Sequence, residues 1–499
     1  MAEAVSGSAR SIREDTGVKH YDQLFIDGGW AEPLRPGTRT LIDPTTEEAF
    51  ATVASGGSAH DVDLAVIAAR RAFEEFSKTS VEARIALIER IIAAYERRQS
   101  ELAQLIAQEV GVPINFHAQV SGPVGHMKVA RDVLRSYAFE RQLADTIVRR
   151  EPIGVCALIS PWNWPIQTSV IKMIYAIAAG CTMVLKPSDA SPASGVALAE
   201  IMDEAETPPG VFNLITGKGS VVGEALSTHP EVDMISFTGS TAAGIRVGEA
   251  AARTVKRVCL ELGGKSANIV LTDADLEKAA RWNIQRCFSN SGQSCHAPSR
   301  MLVHESQVEQ ILPFLVDEIS RMRLGDPRDP ATTHGPLVHA QQFASVQHHI
   351  QIGLDEGGRL VTGGPGRPEG LDRGFFCQPT VIADVTPDMT LAREEIFGPV
   401  LVVMSYTTED QALRIANDSI FGLGGYVFSE NRKRGYEFCR GIRAGRISFN
   451  GANTNSFTPM GGYKQSGIGR SMGIYGLEEY LEVKSVYGFE DEAHQLPAH

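Results

Sequence analysis

Between Val155 and Leu260 five short apolar runs alternate with helical stretches, and this alternation constrains the fold more than any other feature of the 499-residue chain. VCALIS, CTMVLKP, GVFNLITG, DMISFTG and KRVCLEL each read as a strand. PIQTSVIKMIYAIAAG reads as a helix with Pro165 in its first turn and Gly180 at its end. SPASGVALAEIMDEA, SVVGEALSTH and STAAGIRVGEAAART supply the other crossovers. Strands and helices of this length imply right-handed crossovers and a parallel sheet. Such sheets take ligands at the carboxyl ends of their strands. The strand-end residues are therefore candidates: Trp162, Asn163, Lys186, Gly217, Gly239 and Glu261.

A second α/β pattern follows Gly264. SANIVLT, MLVHES, GPVLVVMSY and GRISFN read as strands, and DLEKAARWNIQRCFSN, QVEQILPFLVDEISRM and TEDQALRIAND as helices. Upstream, residues 58–76 and 80–110 carry apolar residues at helical spacing. A chain this long exceeds one ordinary core, so two or more domains are expected. Its 43% hydrophobic and 21% charged residues are those of a globular protein. The net charge of -13 argues against nucleic acid or anionic membrane as a partner. No apolar run approaches the roughly 18 residues that span a bilayer. Seven cysteines without a CxxC pair point to no disulfide framework, no metal site and a reducing cytoplasm.

Chemistry concentrates in a few segments. FTGSTAAG sets Gly239 and Gly244 across a strand-to-helix turn, where backbone amides attract anions. It is not GxGxxG, and turn glycines explain it equally well alone. TGKGSVVG repeats the arrangement at Gly217 and Gly219, and KPSD adds Lys186 and Asp189. Lys186 can bond ribose hydroxyls or a phosphate, whereas Asp189 accepts from ribose hydroxyls and repels a 2'-phosphate. Cys156, Cys181 and Cys259 sit in apolar strands and read as core residues. Cys295, in FSNSGQSCHAPSR, instead follows polar residues and Gly292 and reads as an accessible nucleophile. His296 is its neighbour, but adjacent residues seldom orient for proton transfer. Glu261 in LELGG is a candidate base, and Asn163 in SPWNWP a candidate oxyanion donor. A strand-edge Glu and an Asx-type cap are the structural alternatives for these two.

Together SPWNWP, KPSD, FTGSTAAG, LELGGKSANIV, NSGQSCHAPSR, EEIFGPV and PMGGYKQSGIGR resemble the NAD(P)-dependent aldehyde dehydrogenase superfamily, in order and spacing, from about Gln23 to Val486. The resemblance implies a fold with a Rossmann-type parallel-sheet cofactor domain, an α/β catalytic domain and a small β oligomerisation arm. The boundaries expected are a tail at 1–20, a cofactor domain at 21–130 and 151–261, a catalytic domain at 262–465, an arm at 131–150 and 477–490, and a polar tail at 491–499. It implies Cys295 as nucleophile, Glu261 as general base and Asn163 as oxyanion donor. Ser160, Trp162, Lys186, Asp189, Gly219, Gly239, Ser240, Glu395 and Phe397 would line the cofactor. The family often has Glu where this chain has Asp189, so NAD is favoured with NADP as the alternative. A homodimer or homotetramer is expected.

The resemblance implies oxidation of an aldehyde to a carboxylic acid through a thioester on Cys295. GANTNSFTPM, the pocket segment of relatives, contains no arginine, which favours an apolar or aromatic aldehyde over a carboxylated one. Two alternatives stand beside this. A CoA-acylating dehydrogenase of similar fold usually lacks the carboxylate that Glu261 supplies, and a non-catalytic binding or structural protein need not retain Cys295.

Overall fold

The computed structural model describes residues 13–15, 18–55 and 57–489. Its centre is an eight-stranded sheet. All five strands expected between Val155 and Leu260 are present: Val155–Ile159, Thr182–Lys186, Phe212–Leu214, Met234–Thr238 and Arg257–Glu261. They pair in parallel. The first strand lies at the centre, with the second and third on one side and the fourth and fifth on the other. Connections therefore reverse direction beside Val155–Ile159, which leaves a crevice at the carboxyl ends. Antiparallel Leu24–Ile26 and Gly29–Ala31 extend one edge, and Gly467–Ile468 closes the other against Leu260 and Glu261.

Strands buried on both faces need covers on both. Helix Pro165–Ala179 has Pro165 at its first position and ends at Gly180, whose φ of 93° is left-handed. It is apolar nearly all round because the sheet and helix Ala118–Ser136 sandwich it. Helix Ala59–Phe76 covers the opposite face through the cluster containing Val62, Val66, Val184 and Ile235. Ser58 opens it with a capping box, accepting from the Asp61 N–H while Asp61 accepts from the Ser58 N–H.

The second α/β unit forms a seven-stranded sheet, parallel except where Arg359–Thr362 meets Thr380–Ala383. A three-stranded antiparallel sheet joins Glu140–Leu143, Thr146–Pro152 and Leu481–Tyr487. Among the described residues no helix is long and apolar enough to cross a membrane.

Several expectations change. The stretch read as one helix over 80–110 is two, Val81–Arg97 and Gln99–Val110. The break at Arg98 lets its guanidinium reach Glu101 and Glu200 at 2.7 and 2.6 Å. SVVGEALSTH begins as a wide turn at Gly219–Gly223 and turns α-helical only over Glu224–Thr228. Helix Ala118–Ser136 runs into the start of the segment expected as an arm hairpin, so the hairpin strands begin at Glu140. Arg13–Asp15 and Val18–Tyr21 form paired strands within the expected N-terminal tail, whose other residues lie outside the described ones, as does 491–499.

Buried Glu109 joins two helices. Its carboxylate accepts from the N–H groups of Ala193 and Ser194, at 2.7 and 3.1 Å, in the first turn of Pro192–Glu204. Glu109→Ala strands both donors without water, which costs about 1–3 kcal/mol per unsatisfied group. A thermal midpoint several degrees lower is expected in a melting experiment, and an unchanged midpoint contradicts this capping role.

Candidate active site

Register decides which side chains meet. Lys186 and Phe237 each stand opposite Ile159, and Thr238 stands opposite Glu261. The expected strand-end groups thus share one edge. A cavity of about 310 Å³ opens there, with Asn163, Glu261, Cys295 and Glu395 in its wall. Two segments from elsewhere complete it. The second unit contributes Cys295 and Glu395, and the C-terminal region returns through Gly467–Ile468 to bring Ser471 onto Glu261.

Cys295 stands at the end of a contorted loop. Asn290, Ser291 and Gly292 have φ values of 54°, 54° and 74°. Such left-handed backbone in non-glycine residues persists only where surroundings over-determine it. Here they do. A Cβ on Gly292 would lie 2.1 Å from the Gly398 carbonyl oxygen, so only glycine fits. The Asn290 side-chain amide donates to the Asn163 carbonyl at 2.9 Å and to the Gln293 carbonyl at 3.2 Å. The Asn163 side chain donates to the same Gln293 carbonyl at 2.9 Å, and Gln293 accepts from the Val338 N–H at 3.0 Å. An amide carries two N–H groups, so Asn163 keeps a second donor beyond the one that anchors it.

The cavity disfavours charge. Burial pushes the Cys295 thiol up to about 12, with Glu395 and Glu261 adding to the rise and its own N–H partly offsetting it. Cys295 is nevertheless only half-buried, like Cys439, whereas Cys156, Cys181, Cys259, Cys287 and Cys377 are buried. His296 has its Nδ1 4.0 Å from the thiol. Burial, then Arg286 and Arg446, hold His296 well below the usual imidazole range, so no imidazolium supports a resting thiolate. Glu261 is buried and accepts a hydrogen bond from the Ser471 hydroxyl. Burial raises Glu395 to about 7, although it accepts from the Gly264 N–H at 2.9 Å. Its closeness explains the glycine after Leu262: a Cβ on Gly263 would stand 2.2 Å from the Glu395 carboxylate.

The expected cofactor residues divide into two groups, with Ser160 apart from both. Trp162, Gly239, Ser240, Glu395 and Phe397 line the cavity. The Trp162 and Phe397 rings meet edge to face at 5.3 Å, and Gln342 donates to the Phe397 carbonyl at 3.0 Å. Lys186, Asp189 and Gly219 cluster at the neighbouring strand ends: Lys186 Nζ lies 2.9 Å from Asp189, whose other oxygen faces the Gly219 N–H at 3.4 Å. Ser160 differs, for it is buried outside the cavity wall, accepting from the Ser169 hydroxyl at 2.8 Å. The buried hydroxyl of Thr238 faces the cavity without a partner. An orphaned hydroxyl in the cavity wall, with the Trp162–Phe397 ring pair in the same wall and Lys186 and Asp189 at a neighbouring strand end, fits an extended dinucleotide.

Sequence reasoning missed Lys172, a buried lysine donating to Ser236 at 2.9 Å and lining the cavity. Burial lowers its pKa, against the pull of Glu261. A lysine inside the otherwise apolar SVIKMIYAI was the available signal. Ser471 gave none, because its partner lies 210 residues away.

Residues 30–486 match the model of the aldehyde dehydrogenase family. A 3-succinoylsemialdehyde-pyridine dehydrogenase of Pseudomonas sp is 48% identical over 95% of this chain and all of its own. A putative aldehyde dehydrogenase of Staphylococcus aureus is 44% identical over the same share of this chain and its full length. The crystal structure of the Cys-to-Ala mutant of aldehyde dehydrogenase C from Pseudomonas syringae, in complex with NAD+ and octanal, superposes with a TM-score of 0.93 at 46% identity, covering 97% of this chain and 99% of that one.

The raised thiol has a direct consequence. Below its pKa the thiolate fraction of Cys295 grows about tenfold per pH unit. Alkylation of the free protein by iodoacetamide, followed at the Cys295 peptide by mass spectrometry, is expected to accelerate through pH 8 to about 10 without levelling. A plateau below pH 8 contradicts the raised pKa.

Proposed function

The chain belongs to the aldehyde dehydrogenase family, and from that premise we propose that it oxidises its aldehyde to a carboxylic acid through a thioester on Cys295, hydrolysed by water that Glu261 activates. One observation carries the reading: Cys295, Glu261 and Asn163, distant in sequence, line one cavity at the carboxyl ends of a parallel sheet.

Cys295 gives up its proton to water as its sulfur bonds to the aldehyde carbon, and the carbonyl π pair moves onto oxygen. The free N–H of Asn163 and the backbone N–H of Cys295 stabilise that oxyanion. Loss of one such donor costs about 3–4 kcal/mol in the transition state. A bound nicotinamide dinucleotide supplies the two-electron acceptor for the aldehyde hydride. Lys186, Asp189 and Gly219 would hold its adenosine end, and Trp162, Glu395 and Phe397 its nicotinamide end. Once the hydride has left, Cys295 carries the acyl group as a thioester. Glu261 then takes a proton from water as the water oxygen bonds to the acyl carbon, and the C–S bond breaks to release the acid while Glu261 returns that proton to sulfur, regenerating the thiol. The Ser471 hydrogen bond keeps Glu261 in place until it is needed.

NAD+ in the structure of the Pseudomonas syringae relative supports NAD as the cofactor. Asp189 supports the preference, since its carboxylate repels a 2'-phosphate while occupying Lys186. A homo-oligomer assembled through the three-stranded sheet is supported by the exposed Leu143, Val483, Tyr487 and Phe489 on or beside it. Cysteines that are all free support a reducing compartment. Glu261 in the cavity supports hydrolysis over transfer to CoA.

Following NADH at 340 nm tests the reaction order. Cys295→Ala is expected to abolish turnover while retaining NAD binding. Glu261→Gln is expected to give a full burst of NADH followed by slow turnover, because acyl-enzyme accumulates. A burst slowed in proportion to turnover contradicts that order. Asp189→Asn is expected to raise kcat/KM for NADP relative to NAD by about tenfold. An unchanged ratio removes Asp189 from cofactor selection.

A further inference from the structure

A second cavity, about 780 Å³, adjoins the first, and His296 and Met460 line both. It draws on parts of the chain that the sequence does not associate. Arg286 comes from helix Leu276–Phe288, Tyr426 from strand Gly424–Phe428, and Arg446 from strand Arg446–Phe449. The polar loop containing Asn453 and Asn455 forms the outer wall.

The charge in this cavity is one-sided. Its lining includes two guanidiniums and no Asp or Glu. Elsewhere in the chain Arg434 is matched by Asp273 at 2.9 Å and Arg98 by Glu200 at 2.6 Å, while buried Arg84 and Arg300 and half-buried Arg470 donate to backbone carbonyls instead. No ion pair of that kind holds Arg286 or Arg446 among the described residues. Among the other titratable groups nearby, Glu261 is the carboxylate whose charge reaches Arg446, from outside this cavity. The Tyr426 hydroxyl donates to the His296 carbonyl at 2.6 Å, and burial raises its pKa, so it stays a phenol. His296, and His126 behind it, are held neutral by burial and by the arginines themselves. Glu261 lies in the wall of the first cavity and is occupied by Ser471. Two half-buried like charges with no carboxylate in their own cavity are costly to hold together. A ligand carboxylate would remove that cost, since its two oxygens match the guanidinium fork.

Building on the dehydrogenase reading above, we propose that the substrate carries a carboxylate at the end remote from its aldehyde, received by Arg286 and Arg446 in the second cavity while the carbonyl lies at Cys295. The aldehyde end meets the protein beside His296, the residue shared by both cavities, so one molecule spans the two. The absence of arginine from 451–460 suggested an apolar aldehyde; folding supplies the two guanidiniums from outside that segment.

Matched substrates test this. Suberic semialdehyde is compared with octanal, and succinic semialdehyde with butanal, each pair differing only in a terminal carboxylate in place of a methyl group. In the wild type kcat/KM is expected to favour the acid of at least one pair by about tenfold or more, chiefly through KM. Arg446→Gln and Arg286→Gln are each expected to cut that acid-to-neutral ratio by about tenfold, and Arg446→Lys to restore part of it. Should one variant fail to fold, the other carries the comparison. NADH formed from octanal and butanal with no preference for either acid, or a ratio unchanged in the variants, overturns the anionic-substrate inference and leaves the dehydrogenase reading standing. No NADH from any of the four aldehydes overturns both.

Discussion

Everything at the cavity depends on one buried set of amide hydrogen bonds between the two α/β units. Asn163 belongs to the turn after the central strand of the first sheet, and Asn290 and Gln293 to the loop that ends at Cys295. Asn290 grips the Asn163 backbone, Asn163 grips the Gln293 backbone, and Gln293 is held in turn by Val338. Away from water these bonds have no solvent competitor, so breaking one leaves a donor or acceptor unsatisfied. The network sustains three consecutive left-handed residues. It also orients the side chain proposed to stabilise an oxyanion from the same atoms that hold the proposed nucleophile's loop. Nucleophile and oxyanion donor are thus placed relative to each other rather than separately.

Low polarity around that network sets the resting electrostatics. Burial raises Cys295 and Glu395, and lowers Lys172 and His296. Each shift favours the neutral form, as desolvation requires. In the proposed reaction this keeps the thiol protonated until a carbonyl is at hand, and leaves Glu261 with a neutral hydroxyl as its direct partner. The guanidiniums of the second cavity differ: burial lowers Arg446 in the same sense, yet arginine does not lose its proton in proteins. That difference is why they draw attention to a substrate anion when the neighbouring histidines do not.

Periodicity exposed the parallel sheet because strands covered on both faces must be continuously apolar, and helices of crossover length leave few other arrangements. Glycines at 239 and 292 and the polar setting of Cys295 were visible for a related reason: they are locally wrong for a core. Elements were missed where local pattern and environment disagree. Arg98 looked like another helical residue, yet its ion pairs accompany a break. Ser160 stands at the strand end like its neighbours, and only the fold shows that its buried hydroxyl meets that of Ser169. Residues 451–460 contain no arginine, although the cavity they line has two.

The sequence by itself therefore determined the five parallel strands of the first sheet, the strand ends at which a ligand is expected, and the residue types able to do covalent and acid-base chemistry. Those properties are carried by neighbours within one strand, turn or helix. Tertiary structure alone decided that Ser471 meets Glu261, that Lys172 and Thr238 face the same space as Cys295, and that Arg286 and Arg446 converge without a carboxylate. These relations depend on strand order, register and burial, which arise only when segments hundreds of residues apart exclude water from between them.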